Sequence, residues 1–157
     1  MYFTMIVWLF GDSGIGKKTL IRNITAFSSE YEKNKQLREL FGFEKKDIIL
    51  PVIIQNKQNK KRLEVFKELY RNDSKQISHI IHGQYYDFGE RVLNQLKTLK
   101  NFNSISKCYY LIPSEEDFIL RREKRKLNSN YSSFLKKSES DIKILKQYFN
   151  KVKKIQI

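Results

Sequence analysis

Nine residues near the start of the chain have the types and the spacing that bind phosphate. They read Gly-Asp-Ser-Gly-Ile-Gly-Lys-Lys-Thr, between an apolar run at residues 5–10 and a helical pattern at residues 20–24. Glycines in such a turn let successive backbone N–H groups point inward, and the following helix adds unsatisfied donors and the positive end of its dipole. Lys17 would reach the outer phosphates as a point charge. The predicted phosphate-binding residues are Gly11, Asp12, Ser13, Gly14, Ile15, Gly16, Lys17, Lys18 and Thr19.

The spacing of Gly11, Gly16 and Lys17 resembles the P-loop, or Walker A motif, of the P-loop NTPases. The chain departs from that motif at Lys18, where the family usually has the Ser or Thr that meets magnesium, and the hydroxyl comes one residue later, at Thr19. The resulting Gly-Lys-x-Thr ending is similar to that of the adenylate kinase group of nucleotide kinases. The resemblance implies ATP as the bound nucleotide and Mg²⁺ as the cofactor, with Thr19 as a metal contact. The alternative is a glycine turn that binds no ligand.

Apolar, β-branched runs alternate with helical patterns along the rest of the chain. The predicted strands are 4–10, 47–55, 76–84, 107–112 and 155–157, and the predicted helices are 17–27, part of 28–46, 62–72, part of 85–99, 115–127 and 138–152. Ser138 is expected to cap the last helix, after a polar and mobile connection at 128–137. Pro51 is expected either to bend the second strand or to place it at a sheet edge.

Alternation of this kind predicts an α/β fold in one domain, residues 1–157. With the P-loop resemblance, the expected architecture is a three-layer P-loop (Rossmann-like) fold, a mainly parallel sheet of about five strands with helices on both faces. Ligands in such sheets bind outside the carboxyl ends of the strands. Residues 11–19, which are predicted to bind phosphate and are called the phosphate loop, fall at one of those ends. The other strand ends carry Gln55, Gln84 and Pro113. One cleft is therefore expected to collect them.

The composition favours a polyanionic partner. The chain has 31 Lys+Arg against 17 Asp+Glu, a formal net charge of +14. An excess of this size is typical of proteins that bind nucleic acid or a highly phosphorylated substrate. The basic residues are spread along the chain rather than gathered in one tail, so charge alone leaves contact with DNA open. The single Cys108 excludes an internal disulfide and fits a reducing compartment.

The amino terminus and the hydropathy pattern indicate a cytoplasmic protein. Residues 1–10 are apolar but lack the basic leader and small-residue cleavage site of a signal peptide. No stretch approaches the roughly 20 apolar residues that a membrane span needs. We therefore expect no contact with a membrane, while the oligomeric state stays open.

Three residues are candidates for the acceptor side of the cleft. The resemblance to nucleotide kinases places an acceptor-binding segment at 28–46, where Arg38 would hold an acceptor phosphate; the alternative is an ordinary surface arginine. The strand at 76–84 lacks the aspartate that the Walker B motif would supply at its end. Asp87 is the acidic residue nearest to the end of that strand, and it would act as a general base or as a partner of magnesium. Gln84 would position the acceptor or a water. Alternatively, Asp87 only caps the next helix.

Three arginines follow the fourth predicted strand, where P-loop kinases carry lid arginines over the transferred phosphate. Arg121 and Arg125 are four residues apart and share a helix face, so the resemblance makes these two the catalytic lid pair. Arg122 is expected to contact the substrate. The lid would cover 121–137. The alternative is a solvated basic helix end that is stabilised by the helix dipole.

Together these residues predict a kinase that transfers the γ-phosphate of ATP to a nucleotide-type acceptor. Small kinases of this build also occur in bacteriophages, where some resemble enzymes that phosphorylate hydroxymethyl pyrimidines within DNA, and the net charge of +14 suits that acceptor. One alternative is a nucleoside monophosphate kinase, although its Asp-Arg acceptor motif is not visible. The other is a regulatory or nucleic-acid-binding P-loop module that binds ATP without transferring phosphate, which the missing Walker B aspartate supports.

Overall fold

A computed structural model describes eight segments of the chain, residues 5–12, 17–25, 31–43, 48–52, 59–71, 77–83, 92–125 and 130–156. In chain order the elements are β1 (Ile6–Phe10), α1 (Lys17–Thr25), α2 (Tyr31–Leu40), β2 (Ile48–Val52), α3 (Asn59–Arg71), β3 (Ile77–Gly83), α4 (helical at 92–97), α5 (Phe102–Ile105), β4 (Ser106–Leu111), α6 (Glu115–Arg125), α7 (Tyr131–Leu145) and β5 (Val152–Ile155). This alternation confirms the predicted α/β fold.

The five strands form one sheet in which every pair is parallel, in the order β2-β3-β1-β4-β5. The central strand is β1, and its last residue, Phe10, is in register with Gly83 of β3 and Tyr110 of β4. From β1 the chain runs to β2 at one edge, and from β4 it runs to β5 at the other. Such a reversal opens a crevice at the carboxyl ends of the strands, and ligands bind there. The phosphate loop begins at that crevice.

Strand β1 is buried along its whole length because helices cover both faces of the sheet. Val7 and Leu9 lie in a first core with α1 and α2. Ile6, Trp8 and Phe10 lie in a second core with α3, α4 and α5. A parallel strand that is buried on both faces needs a continuous apolar sequence, as β1 has. The strand that leads into the phosphate loop is therefore held from two sides.

A hydrogen-bonded aromatic group fixes β1 within the second core. The Trp8 indole Nε1–H donates to the Tyr70 hydroxyl at 2.8 Å, and that hydroxyl also lies 2.5 Å from the hydroxyl of Ser106. The Trp8 ring lies 5.9 Å from Phe10 and 5.7 Å from Phe149, measured between ring centroids. The buried polar atoms of Trp8 and Tyr70 thus have partners, and the strand is tied to α3 and β4.

The position of β2 at a sheet edge agrees with the prediction for Pro51, and the last residue of α2 is an exposed leucine. Strand β2 lies at an edge and contains Pro51, as expected for a proline that cannot donate to a sheet ladder. Leu40 of α2 is 46% exposed, although Leu37, one turn earlier, is buried. It is the last residue of that helix, and the chain turns there.

The start of the last helix was predicted wrongly. Helix α7 begins at Tyr131, and its cap is Asn130, whose side-chain oxygen accepts a hydrogen bond from the Ser133 N–H at 2.7 Å. Residues 131–137 are therefore helical rather than a polar connection, and Ser138 is a buried residue inside the helix. The physical reason is Phe134, which is buried in the first core and so requires an ordered turn there.

Candidate phosphate-binding site

The described part of the phosphate loop lies at the carboxyl end of β1. Gly11 and Asp12 follow the strand directly, and Lys17 is the first residue of α1. The Lys17 side chain turns back over the loop, and its Nζ donates to the carbonyl oxygens of Gly11 at 2.6 Å and Asp12 at 2.5 Å. Residues 13–16, which include Ser13, Gly14, Ile15 and Gly16, lie outside the described residues.

Lys17 is a buried cation, with 9% of its surface exposed. Burial of a charge is costly unless the charge is hydrogen-bonded, and the two loop carbonyls provide that compensation. The position at the first residue of a helix is nevertheless unfavourable for a cation, because the helix dipole is positive there. A phosphate group bound at the same helix end would satisfy both the dipole and the ammonium.

The residue predicted to contact magnesium is Thr19. Thr19 lies in the first turn of α1 and is exposed. Lys18 is part of the same helix, and its side chain lies outside the described residues. The predicted strand and helix on either side of the loop are thus present, with Gly11 and Asp12 after β1 and Lys17 and Thr19 in the first turn of α1. That these residues bind phosphate stays a prediction.

One residue at this junction was not predicted from the sequence. The Nζ of Lys137, on α7, lies 3.2 Å from Oδ1 of Asp12, with side chains 47% and 14% exposed. Phe134 packs in the first core and Ile142 in the second, so α7 passes from one face of the sheet to the other beside the loop. The Asn130 cap and the burial of Phe134 place Lys137 on that helix.

A second contact joins α7 to the same end of the sheet. The Tyr110 hydroxyl, at the carboxyl end of β4, donates to Oδ2 of Asp141 at 2.8 Å. Burial raises the pKa of Tyr110, and the hydrogen bond and negative charge of Asp141 raise it further, with a smaller contribution from the charge of Asp12. The hydroxyl therefore stays protonated at neutral pH and acts as a donor.

Arg38 lies away from the loop. It is 5% exposed, and its Nε donates to the carbonyl oxygen of Ile24 at 3.2 Å. Ile24 is near the carboxyl end of α1, which is about 10 Å along the helix axis from Lys17 at 1.5 Å per residue. Arg38 is therefore not a surface arginine, and its contact with an acceptor phosphate stays a prediction.

The structure describes one of the three arginines that were predicted to form a lid, Arg121, in full. The Arg121 Nε lies 2.9 Å from Oδ2 of Asp117, one turn earlier on α6, and both side chains are partly exposed. The Asp117 N–H donates to the Ser114 hydroxyl at 3.2 Å, so Ser114 caps the start of α6. The backbones of Arg122 and Arg125 belong to α6, but their side chains lie outside the described residues.

Two acceptor-side candidates, Gln84 and Asp87, also lie outside the described residues. Among the residues that are described, no three His, Cys, Asp or Glu side chains come together as a metal site. Nor does any helix in the described segments have the length and apolar character to cross a membrane.

Sequence comparison supplies no relative from which to infer a function. No protein-family model matches the chain, and no curated protein matches it significantly. The function is therefore inferred from the residues of the site and their chemistry.

Proposed function

We propose that this protein is an ATP-dependent phosphotransferase, a small kinase that moves the γ-phosphate of ATP to a nucleotide-type acceptor. The observation that supports it best is the position of Lys17, a buried ammonium group at the start of α1 that is bonded to the loop carbonyls at the carboxyl end of the central strand. A cation at a helix N-terminus has little structural reason to be there, whereas phosphate binding gives it one.

The residues present fit both ATP and magnesium. Phosphate oxygens and carbonyl oxygens are both acceptors, so the Lys17 ammonium can exchange its two carbonyl partners for phosphate without losing hydrogen bonds. Thr19, which is exposed, is the residue whose hydroxyl would hold magnesium, directly or through water. Bound magnesium would neutralise charge on the outer phosphates.

Phosphoryl transfer asks for positioning and positive charge more than for covalent help. The acceptor oxygen attacks the γ-phosphorus, the bond to the β–γ bridging oxygen breaks, and ADP leaves. Lys17 stabilises the charge on the outer phosphates, and Arg121 and Arg125 are proposed to do so from the lid. A hydroxyl acceptor would give its proton to Asp87, while a phosphate acceptor is already anionic and needs no base.

The acceptor that we favour is a hydroxymethylated base in DNA. The net charge of +14 supports it, since a basic surface attracts a polyanion more than it attracts a free mononucleotide. A nucleoside monophosphate is the second acceptor to compare. Both reactions use the same donor site and differ in whether Asp87 is required.

The test is transfer of label from γ-labelled ATP to three acceptors: mononucleotides, plain DNA and hydroxymethylated DNA. The expected result is labelled hydroxymethylated DNA, with Asp87→Ala reducing transfer to a hydroxyl and sparing transfer to a phosphate. Lys17→Ala is expected to lower transfer to every acceptor. Its control is Arg22→Ala, which removes a charge from an exposed position of the same helix, outside the loop. Label on none of the acceptors would contradict the kinase proposal.

A second candidate is a P-loop module that binds ATP without transferring phosphate. The observation that favours it is β3, the strand beside β1, which runs from Ile77 to Gly83 without a single carboxylate. P-loop kinases usually place a magnesium-orienting aspartate on such a strand. Tight ATP binding in the same assay, with label transferred to no acceptor, would support this candidate.

A further inference from the structure

We propose that Lys137 is a positioning residue of the donor site: it neutralises the Asp12 carboxylate so that the loop can hold the phosphates of ATP. This inference rests on the proposed function, because it concerns the same site. The contact that carries it is the 3.2 Å ion pair between Lys137 Nζ and Asp12 Oδ1. Nothing in the Gly-x4-Gly-Lys spacing requires a residue from α7, which is more than 100 positions further along the chain.

Without a cation beside it, the Asp12 carboxylate would repel a phosphate ligand in the loop. Its side chain is only 14% exposed, and it is a carboxylate within a loop whose proposed ligand is a polyanion. Like charges repel strongly where water is partly excluded, so an unpaired Asp12 would weaken phosphate binding. The charge of Asp12 also contributes to the raised pKa of Tyr110, so its field extends into the crevice between β1 and β4.

Buried residues on α7 fix the backbone on either side of Lys137, so that its side chain can reach Asp12. One turn before it, Phe134 is buried in the first core, and Ile142 is buried in the second core after it. Ser138, the next residue, is 1% exposed. The helix is thus fixed on both sides of Lys137, so the backbone position from which its side chain reaches the loop is set by the core. Asp12 in turn keeps its backbone carbonyl bonded to Lys17.

The experiment is a set of binding titrations by calorimetry, with ATP and with inorganic tripolyphosphate as probes. Lys137→Ala is expected to weaken both ligands about five- to tenfold, from one uncompensated charge at partial screening. Asp12→Asn is expected to bind at least as tightly as the wild type. The double variant Lys137→Ala/Asp12→Asn is expected to recover wild-type affinity, because the carboxylate that needed neutralising is gone.

The matched control is Lys136→Ala, which removes the same charge from an exposed neighbour on the same helix. It is expected to change affinity less than twofold at physiological salt. A purely structural tether would lower the midpoint of thermal unfolding in Lys137→Ala and in Asp12→Asn alike, leave phosphate affinity unchanged in both, and show no recovery in the double variant.

The outcomes separate this inference from the kinase proposal. If the wild type binds ATP but Lys137→Ala and Lys136→Ala bind it equally well, the inference is wrong and the kinase proposal is untouched. If tripolyphosphate shows the loss and the recovery while label reaches no acceptor, the inference holds and the kinase proposal fails. Absence of any binding by the wild type overturns both.

Discussion

Helix α1 has a buried cation at each of its ends. Lys17 and Arg38 are the two buried charged residues in the segments that the structure describes, and each donates to backbone carbonyl oxygens. Arg38 reaches the carbonyl of Ile24, where the helix dipole is negative and favours a cation. Lys17 stands at the opposite end, where the dipole is positive.

This difference in sign distinguishes a cation whose position the helix dipole favours from one whose position it opposes. Arg38 is satisfied by the protein itself, since it supplies a donor to a helix end whose carbonyls lack partners within the helix. Lys17 is hydrogen-bonded to the Gly11 and Asp12 carbonyls, but the dipole at its end of the helix disfavours a cation and favours an anion. Burial alone does not distinguish the two residues; the direction of the helix does.

Removing Lys17 should affect function more than any other change at the two ends. Lys17→Ala is expected to lower phosphoryl transfer about 100- to 1,000-fold, the usual cost of removing one preorganised donor to developing charge. The midpoint of thermal unfolding should fall less than in Arg38→Ala, because the loss of the hydrogen bonds to the Gly11 and Asp12 carbonyls is offset by the removal of a cation from the positive end of a helix. Single-turnover transfer of label and a thermal melt measure the two quantities. A large loss of stability would mean that Lys17 is structural, like Arg38.

Removing Arg38 should have the opposite profile. Arg38→Ala leaves the Ile24 carbonyl without its donor in a buried site, which is expected to cost about 2–3 kcal/mol of unfolding free energy. For a chain of this size the thermal midpoint should fall about 5–10 °C. Arg38→Lys keeps the charge and is the control: a normal melt combined with a raised KM for the acceptor alone would support the acceptor-binding prediction for Arg38.

A phosphate ligand should stabilise the protein through the Lys17 end of α1 and not through the Arg38 end. At a concentration about 100-fold above its Kd, ATP or tripolyphosphate is expected to stabilise the wild type by about 2.7 kcal/mol. The same stabilisation should persist in Arg38→Lys and disappear in Lys17→Ala, because only Lys17 lies at the loop. Thermal melts over a ligand series report it. Equal stabilisation of both variants would place the anion away from the start of α1.

The smallest effect is expected from the tyrosine beside the Arg38 end. The Tyr109 hydroxyl donates to the Phe41 carbonyl at 3.3 Å, just after α2. Burial raises the pKa of Tyr109 above its ordinary value of 10.0, with a lesser contribution from Cys108. The stability that this neutral hydroxyl contributes is therefore complete below pH 10 and is lost as the pH rises through the folded-state pKa.

Tyr109→Phe is expected to cost about 1 kcal/mol at pH 7, the usual net value of one hydrogen bond. Above pH 10 the variant should lose less stability than the wild type with each step in pH, so the two denaturant curves converge. Transfer activity at pH 7 should be unchanged. Convergence on lowering the pH instead would have the wrong sign for a group with a raised pKa.

The sequence was most informative where the chemistry is local. The loop from Gly11 to Thr19 needs only consecutive residues between a strand and a helix, and its described members lie together as predicted. The α/β fold followed in the same way from alternating patterns. The strand order did not, because it depends on which apolar runs pair across the whole chain.

Long-range contacts explain what the sequence did not reveal. Arg38 is buried because α2 packs on the end of α1, a contact that no local pattern encodes. Lys137 was missed for a different reason: Asn130 and Ser138 are both good caps by residue type, and the burial of Phe134 decides between them. Burial of that kind is a property of the folded core.

The parallel pairing of β1 has a consequence for how the chain is made. Ile6 leaves the ribosome early, yet its partners are His79 and Ser106. At about 5–20 residues per second, a wholly apolar strand stays without either neighbour for several seconds of synthesis. Pairing over such separations also folds slowly. The nascent chain is therefore expected to need a chaperone, or rapid cover from α1 and α2, before the phosphate loop takes shape.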